Sequence, residues 1–428
     1  MVTVAVFLAL LFLGMPIFAA ILMAAIVFLI VNDLSVLFDG LPLQFYSSLE
    51  VNGLLAIPLF VLVGEIMNKG GLTQRLIAVT NLFVGRFKGG LAYANLITNA
   101  MAASILGSAI AQIGVMSKVM IPAMEKQGYD KALSGAITAS GGLLGPIFPP
   151  SMLMIIYGVV AVQPIAPLFI AGIIPALLIV LGFCLVVFLM GCFSQKIPAV
   201  QTVKDTGEQT PTAKVLIDGI LPGFIPLVVI VGIASGVMTP TEAGAVASLI
   251  AFILCLIYRE IKVSDLSDIF VSVATLTATI CGLIASATLL SWVLSFEGVP
   301  DRLVEAIATL TDSPFWFMLL VFAVLLFLGM FLESISAMIV LVPILMPVVV
   351  ELGIDPIQFG VLCAIATTLG VLTPPVGPGL FIVMSQTGVA MKPLMKMMIP
   401  FLLVILVVVI AIIALPELSV WLPSVFVK

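Results

Sequence analysis

The chain has 428 residues, of which 63% are hydrophobic and 9% are charged, whereas soluble globular proteins are about half apolar and about a quarter charged. This composition excludes a soluble globular protein and predicts a polytopic membrane protein. The sequence contains no histidine, which excludes a Ser-His-Asp triad and histidine metal ligands. Its formal net charge is −5 and it has no dense basic run, so we expect no nucleic-acid partner.

Long apolar stretches predict nine membrane crossings, because a helical span needs about 20 apolar residues. The stretches cover residues 3–31, 51–68, 132–160, 165–193, 215–237, 241–258, 265–296, 356–388 and 397–415. Lysine and arginine mark the cytoplasmic loops of membrane proteins. Here they cluster on both sides of 91–125, in the polar stretch 195–214, and near 259–262 and 392–396. This distribution predicts a cytoplasmic N-terminus and a C-terminus on the opposite, external face of the membrane.

Two further apolar stretches, 91–125 and 314–350, are interrupted near their middle by small or polar residues. The first reads SILGS at 104–108, and the second is interrupted from Gly329 to Ser336. Basic residues flank the first stretch on both sides, and acidic residues flank the second on both sides. Each stretch is therefore expected to enter and leave on one face, which predicts two re-entrant helical hairpins that enter from opposite faces.

The two halves of the chain resemble each other. A shift of 225 residues aligns them without a gap over 122–178, and Pro149-Pro150 then coincides with Pro374-Pro375. The opposite charge around the two hairpins gives the copies opposite orientations. The sequence therefore predicts an inverted repeat, which in secondary transporters places the binding site at the repeat interface.

The repeat and one polar linker divide the chain. Residues 1–194 are predicted to form the first repeat, with scaffold helices, an amphipathic arm helix at 72–88, a hairpin at 91–125 and a broken helix at 132–160. Residues 195–214 form a cytoplasmic linker. Residues 215–428 contain an extra helix at 215–237 and the inverted second repeat, with an arm helix at 299–313, a hairpin at 314–350 and a broken helix at 356–388.

The paired prolines must interrupt their helices, because proline lacks a backbone N–H and clashes with the preceding turn. Unwound backbone at membrane depth is tolerated where it is buried or lines a cavity, and its free carbonyls suit a small cation. A proline kink without a ligand is the alternative. Two equivalent breaks beside polar hairpin tips favour an ion site, to which hydroxyl groups can contribute from Ser104, Ser108, Ser334, Ser336, Thr367, Thr368 and Thr373.

Glu333 is the one carboxylate in the middle of a long apolar stretch, which indicates a functional residue. Its alternative role is to cap the helix that follows it. Glu65 lies four residues before Lys69 and is expected to form a helix-end ion pair with it.

Polar residues on the arms of the first hairpin have two possible roles. Asn95, Asn99 and Gln112 either contact the substrate or form interhelical hydrogen bonds. Together with the tip residues, the candidate substrate-binding residues are Asn99, Ser108, Gln112, Glu333 and Ser336.

The motifs GPIFPPS at 145–151, TPTEA at 239–243 and TPPVG at 373–377 resemble the large membrane subunit of TRAP transporters, the tripartite ATP-independent periplasmic uptake systems. The resemblance extends from Gly14 to Pro400, and overall it is greatest to the sialic acid type. It implies a sodium-coupled permease subunit that imports an organic acid, sialic acid first among the candidates, across a bacterial inner membrane. It also implies an elevator mechanism, in which hairpins and broken helices move against a scaffold of the other spans.

The resemblance further implies a small membrane subunit and a periplasmic substrate-binding protein as partners on separate chains in and beside the lipid bilayer. It implies Na⁺ as the coupling ion, no organic cofactor and no enzymatic activity. The implied sodium ligands are Ser104, Gly145 and Pro149 in one site, and Ser334, Thr367, Thr368 and Thr373 in the other. A proton-coupled carrier that uses Glu333, a carrier of C4-dicarboxylates or other carboxylates with the same architecture, and an ion channel are the alternatives.

Overall fold

The computed structural model describes residues 2–72, 75–76, 78–79, 89–193, 212–299, 302, 304–305 and 313–426. These residues form helices and connecting turns without a β-strand, so the predicted all-α fold class is confirmed for this part of the chain. The predicted arm helices at 72–88 and 299–313 and the predicted linker at 195–214 lie outside the described residues for most of their length, and they stay predictions.

The helices fall into two groups along the chain. The first half contains α1 (Val2–Phe12), α2 (Ile17–Val31), α3 (Leu41–Ser47), α4 (Ala56–Lys69), α5 (Gly90–Leu106), α6 (Ala109–Lys126), α7 (Lys131–Gly142), α8 (Met152–Val160), α9 (Ile165–Ala171) and α10 (Ile173–Phe193). The second half contains α11 (Thr212–Ala234), α12 (Pro240–Tyr258), α13 (Val263–Phe296), α14 (Pro314–Gly329), α15 (Ser334–Glu351), α16 (Pro356–Gly370), α17 (Pro378–Thr387), α18 (Met391–Ala414) and α19 (Glu417–Phe426). Short 3-10 helices, Ser35–Gly40 and Asn52–Leu55, precede α3 and α4.

Several of these helices have the length and composition of membrane spans. In the described part of the chain, five are long and apolar enough to cross a membrane: Ile165–Cys192, Pro240–Tyr258, Ser264–Phe296, Ser334–Glu351 and Met391–Ala414. Shorter apolar helices accompany them at Ile17–Val31, Asp218–Ala234, Pro314–Gly329 and Pro356–Gly370. The chain is therefore a multi-pass membrane protein.

The predicted single crossing at 3–31 is wrong. Helix α1 ends at Phe12 and α2 begins at Ile17, because Gly14 adopts a φ of +79° and Pro16 precedes α2. A left-handed glycine ends a helix, and proline cannot continue it. The two helices pack against each other. At about 1.5 Å per residue, neither an 11-residue nor a 15-residue helix reaches across a hydrocarbon core of about 30 Å.

The first of the two interrupted stretches folds back on itself. Gly107 and Ser108 join α5 to α6, and Gly107 has a φ of +59°, which favours glycine. Asn95 Nδ2 lies 3.3 Å from Met124 Sδ, near the far ends of the two helices. Helices α5 and α6 therefore run antiparallel. In the second stretch, four residues that end at Glu333 join α14 to α15.

Both Pro-Pro pairs lie in helix interruptions. Helix α7 ends at Gly142 and α8 begins at Met152, whereas α16 ends at Gly370 and α17 begins at Pro378. Both Pro-Pro peptide bonds are cis. The helices before the two breaks begin in the same way. Asp130 caps α7 and accepts a hydrogen bond from Leu133 N at 3.0 Å. Asp355, which lies 225 residues later, caps α16 and accepts a hydrogen bond from Ile357 N at 2.7 Å.

The second half of each broken helix packs against the other half of the chain. Helix α8 contacts α15 and α16, and α17 contacts α6 and α7. Tyr157 of α8 donates a hydrogen bond to the carbonyl of Pro356 at 2.5 Å, and its ring covers Gly360 so closely that a Cβ there would lie 2.5 Å from it. We call α5–α8 with α14–α17 the hairpin unit. Helices α2, α4, α12 and α13 pack together beside it and are called the scaffold group.

Candidate functional site

The two hairpin tips meet at a cavity of about 180 Å³ between the hairpin unit and the scaffold group. Ser104 and Ser108 of the first tip and Glu333 of the second line it, and Glu65 and Asn68 of α4 line it from the scaffold group. A smaller cavity of about 20 Å³ lies between the tips. The structure therefore brings together three of the predicted site residues, Ser104, Ser108 and Glu333, that are far apart in the sequence.

The first tip presents a helix N-terminus to both cavities. Ser108 is the N-cap of α6 and accepts a bond from Ala111 N at 3.5 Å, and the first residues of α6 line the two cavities. The unpaired N–H groups and the dipole at a helix N-terminus favour an anion. Ser104 is 7% exposed and donates to the carbonyl of Met101 at 2.8 Å, so its oxygen keeps lone pairs for a ligand.

The second tip presents a carboxylate instead. Glu333 occupies the N-cap position of α15, but its side chain makes no capping hydrogen bond. Within the described part of the chain, no hydrogen bond or ion pair engages this carboxylate, and it lines both cavities. Glu333 therefore has the capping position that its alternative role predicts, where a negative charge is favoured, but its carboxylate oxygens make no capping hydrogen bond and are available to a ligand.

Asn99 and Gln112 belong to a buried network that connects α5, α6 and α7. Asn95 Nδ2 donates to Thr138 Oγ1 at 2.7 Å, Asn99 Nδ2 donates to Asn95 Oδ1 at 2.7 Å, and Gln112 Nε2 donates to Asn99 Oδ1 at 3.0 Å. Of the two roles considered for these residues, the structure shows the interhelical hydrogen bonds. Neither they nor Ser336, which is 3% exposed, are among the residues that line the two cavities.

Oxygen atoms converge at the break in the first broken helix. Gln112 Oε1 is buried and has no hydrogen-bond partner among the described residues. It lies 2.7 Å from the position that a Cβ would take on Gly145, and the carbonyl oxygen of Ser108 lies 3.2 Å from the same position. Pro149 is buried in the same break. A buried acceptor without a donor is rare in proteins, and these oxygens fit a small cation.

At the second break the converging oxygens are backbone carbonyls. The hydroxyl groups of Thr367, Thr368 and Thr373 each donate to a carbonyl of the preceding turn, at 2.8, 2.6 and 2.8 Å. The carbonyl oxygens of Thr373 and Val371 lie 2.9 and 3.2 Å from the position of a Cβ on Gly377. Thr373 is one of the sodium ligands that the resemblance implied, whereas Val371 was not indicated from the sequence.

The predicted ion pair between Glu65 and Lys69 is wrong. Glu65 Oε1 accepts a hydrogen bond from Ser272 Oγ at 2.9 Å, and Lys69 Nζ lies 3.6 Å from Asp268 Oδ2. Both partners belong to α13, and spacing within α4 carries no information about them. Glu65 thereby faces the cavity. The signal that pointed to it was an acidic residue inside the apolar stretch 51–68.

Known proteins match this architecture and sequence. Residues 4–418 match the family described as "Tripartite ATP-independent periplasmic transporter, DctM component". The chain is 32% identical to the sialic acid TRAP transporter large permease SiaM of Vibrio cholerae serotype O1, over 98% of this chain and 97% of that protein. It belongs to the DctM family of TRAP transporter large permeases. The resemblance seen in its motifs is therefore confirmed.

Other relatives of this permease differ in substrate and length. It is 34% identical to the C4-dicarboxylate TRAP transporter large permease DctM of Pseudomonas aeruginosa, over 90% of this chain and 89% of that protein. It is 31% identical to the sialic acid TRAP transporter permease SiaT of Haemophilus influenzae, over 99% of this chain and 68% of that protein.

The fold of the permease is also shared with a solved transporter structure. The crystal structure of the YdaH transporter of Alcanivorax borkumensis matches it with a TM-score of 0.68 and 13% identity, over 92% of this chain and 90% of that chain. At this identity the match shows the fold alone. Family and fold together establish a large permease subunit of a secondary transporter.

Proposed function

We propose that this permease imports an organic acid across the bacterial inner membrane in symport with sodium, and that the cavity between the hairpin tips is its substrate site. One observation carries this proposal: a helix N-terminus suited to an anion and an unengaged carboxylate face one cavity at the boundary of two packed units. Such a cavity at the meeting point of two interrupted stretches is where secondary transporters bind substrate.

Sodium coupling is supported by the oxygen atoms at the two breaks. In the first site we propose Ser104, the backbone of Gly145 and Pro149, and Gln112 Oε1, which lacks a donor. In the second we propose the backbone carbonyl of Ser334 together with Thr367, Thr368 and Thr373, and the carbonyl oxygens that converge on Gly377. Oxygen atoms are the ligands that hard cations prefer.

An elevator movement of the hairpin unit is supported by its packing. The second half of each broken helix packs against the other half of the chain, so that the eight helices form one packed unit. The scaffold group contacts this unit through α4 and α13, which also line the cavity. A rigid unit that carries the cavity past the scaffold group would expose the substrate to either side in turn.

Two protein partners complete the proposed system, a small membrane subunit and a periplasmic substrate-binding protein. About a third of the relative SiaT lies outside the region that this chain matches, since the match covers 68% of it. That length is compatible with a second membrane component. Sialic acid, a C4-dicarboxylate and other carboxylates are the substrates that we consider, and we propose no enzymatic activity.

Uptake into proteoliposomes tests the proposal. The permease is reconstituted with its small subunit, and its binding protein is supplied outside with labelled sialic acid or succinate. We expect an inward sodium gradient at constant pH to drive uptake. Uptake that survives sodium removal and follows a pH gradient would identify a proton-coupled carrier instead, and flux without binding protein would identify a channel.

A further inference from the structure

The cavity between the hairpin tips has an acidic side. Glu333 lines it from the second tip and Glu65 lines it from α4. Among the described residues that line this cavity and the smaller one beside it, none is a lysine or an arginine. Two carboxylates without a cation lower the local electrostatic potential, which repels a second anion and attracts hydrogen-bond donors and cations.

The two tips therefore differ in what they can bind. At the first tip the N-terminus of α6 is capped by a neutral serine, Ser108, so its dipole is open to a carboxylate of the ligand. At the second tip the N-terminus of α15 already has Glu333 at its N-cap. A ligand carboxylate at this end would meet a like charge, whereas a hydroxyl or ammonium group would meet an acceptor.

A second, independent feature also points to a ligand at the acidic tip. Ser334 is only 7% exposed and lines the small cavity between the tips. Its hydroxyl makes no hydrogen bond with any part of the chain that the structure describes. This hydroxyl follows Glu333 directly in the chain and belongs to the lining of the small cavity, so a ligand with donor and acceptor groups can bind both side chains.

We propose that Glu333, Glu65 and Ser334 form a donor-binding subsite, so that the substrate is a monocarboxylate that carries hydroxyl or ammonium groups, and not a dicarboxylate. Its carboxylate lies at the first tip beside Ser108, and its donor groups lie at the second tip. This inference rests on the proposed function, because it assigns the substrate class of the same cavity.

Charge-selective thiol labelling tests the subsite without knowledge of the substrate. Ile335 lines both cavities and is not one of the proposed ligands. In a full-length variant whose five cysteines are replaced, Ile335→Cys is labelled in membrane vesicles with a cationic (trimethylammonioethyl) and an anionic (sulfonatoethyl) methanethiosulfonate. Each rate is divided by the rate of the same reagent with 2-mercaptoethanol. We expect a preference of about tenfold or more for the cation.

The Gln variants show whether the preference comes from these carboxylates. We expect Glu333→Gln and Glu65→Gln each to lower the cation preference severalfold. Glu351→Gln, at the far end of the same helix α15, is the matched control and should leave it unchanged. A preference for the anionic reagent, or a cation preference that neither cavity variant lowers, would overturn the subsite.

Three six-carbon acids test the substrate class. Gluconate, hexanoate and adipate share a chain length and differ in hydroxyl groups or in a second carboxylate. We expect gluconate to slow labelling at Ile335→Cys at a concentration about tenfold lower than the other two acids require. Equal or better protection by adipate, or no protection by gluconate, would overturn the assignment.

Failure of this inference is distinguishable from failure of the proposed function. Sodium-driven uptake together with an anion preference at position 335 would refute the subsite alone. A cation preference in a permease without sodium-driven uptake would refute sodium coupling alone.

Discussion

At the scale of single residues, the position of Glu333 is the most informative feature of the molecule. Its place in a long apolar stretch predicts a functional role, because ionisable groups at membrane depth are costly. The structure adds that the carboxylate is free of partners in the described chain and lines both cavities. The hydrogen-bond partner of Glu65 was not predictable, since Ser272 lies 207 residues away in sequence.

Removal of the Glu333 charge should affect transport more than folding. We expect Glu333→Gln to lower the rate of sodium-driven uptake about tenfold or more, which corresponds to a loss of about 1.4 kcal/mol or more, because the substrate loses a charged acceptor. The melting temperature of the purified variant should stay within a few degrees of that of the unchanged protein. Glu351→Gln serves as the control, and wild-type uptake by a folded Glu333→Gln variant would contradict the assignment.

At the scale of helices, most interruptions by glycine and proline could be predicted from the sequence, whereas the packing of one helix on another could not. Together α5 and α6 span 90–126, and α14 and α15 span 314–351, which is within one residue of the predicted hairpins at 91–125 and 314–350. The polar tips, with Gly107 in the first of them, interrupt the apolar sequence and so mark the two turns. The break between α1 and α2 was missed, although Gly14 and Pro16 mark it, because the flanking sequence is apolar throughout. Helix α19 was also missed; its packing on α9 and α10 leaves little trace in its own sequence.

Close contact between α14 and α16 predicts an effect on stability. A Cβ on Gly329 would lie 2.5 Å from the carbonyl oxygen of Thr367, and backbone atoms cannot move aside cheaply. We expect Gly329→Ala to destabilise the protein by about 1–3 kcal/mol through overpacking, measured as a lower melting temperature in detergent.

Gly114→Ala is the matched control for this substitution. It lies inside α6, and no described atom lies within 4 Å of the added Cβ. Alanine there should be neutral or stabilising by up to about 1 kcal/mol, because it favours the helix. Equal melting temperatures of the Gly329→Ala and Gly114→Ala variants would contradict the proposed tight packing.

At the scale of the whole molecule, the sequence predicted the membrane class, the family and the approximate limits of both hairpins and both helix breaks. It was not able to show that α8 packs on α15 and α16 while α17 packs on α6 and α7, since this exchange depends on contacts between distant segments. Only part of the candidate site could be predicted from the sequence, because the rest also depends on contacts between distant segments. Tip residues carried a signal of their own, whereas Asn99 and Gln112 were distinguished from cavity residues only by their packing.

The proposed elevator mechanism requires the hairpin unit to move against the scaffold group. A reversible cross-link between the two is the most direct test of this movement. A Cβ on Gly53, in the 3-10 helix that leads directly into α4, would lie 3.1 Å from Val159 Cγ2 in α8, and the Sγ atom of a cysteine at position 159 can occupy the place of this Cγ2. The pair Gly53→Cys and Val159→Cys therefore joins the two units. The control pair, Leu59→Cys and Gly244→Cys, lies within the scaffold group, where the two Cβ atoms would be 3.0 Å apart.

The measurement is sodium-driven uptake by each pair in the oxidised and the reduced state, in a background without native cysteines. We expect oxidation of the 53–159 pair to abolish uptake and reductant to restore it, whereas oxidation of the 59–244 pair leaves uptake unchanged. Uptake that continues at the full rate after complete formation of the 53–159 disulfide would contradict a movement of the hairpin unit past the scaffold group.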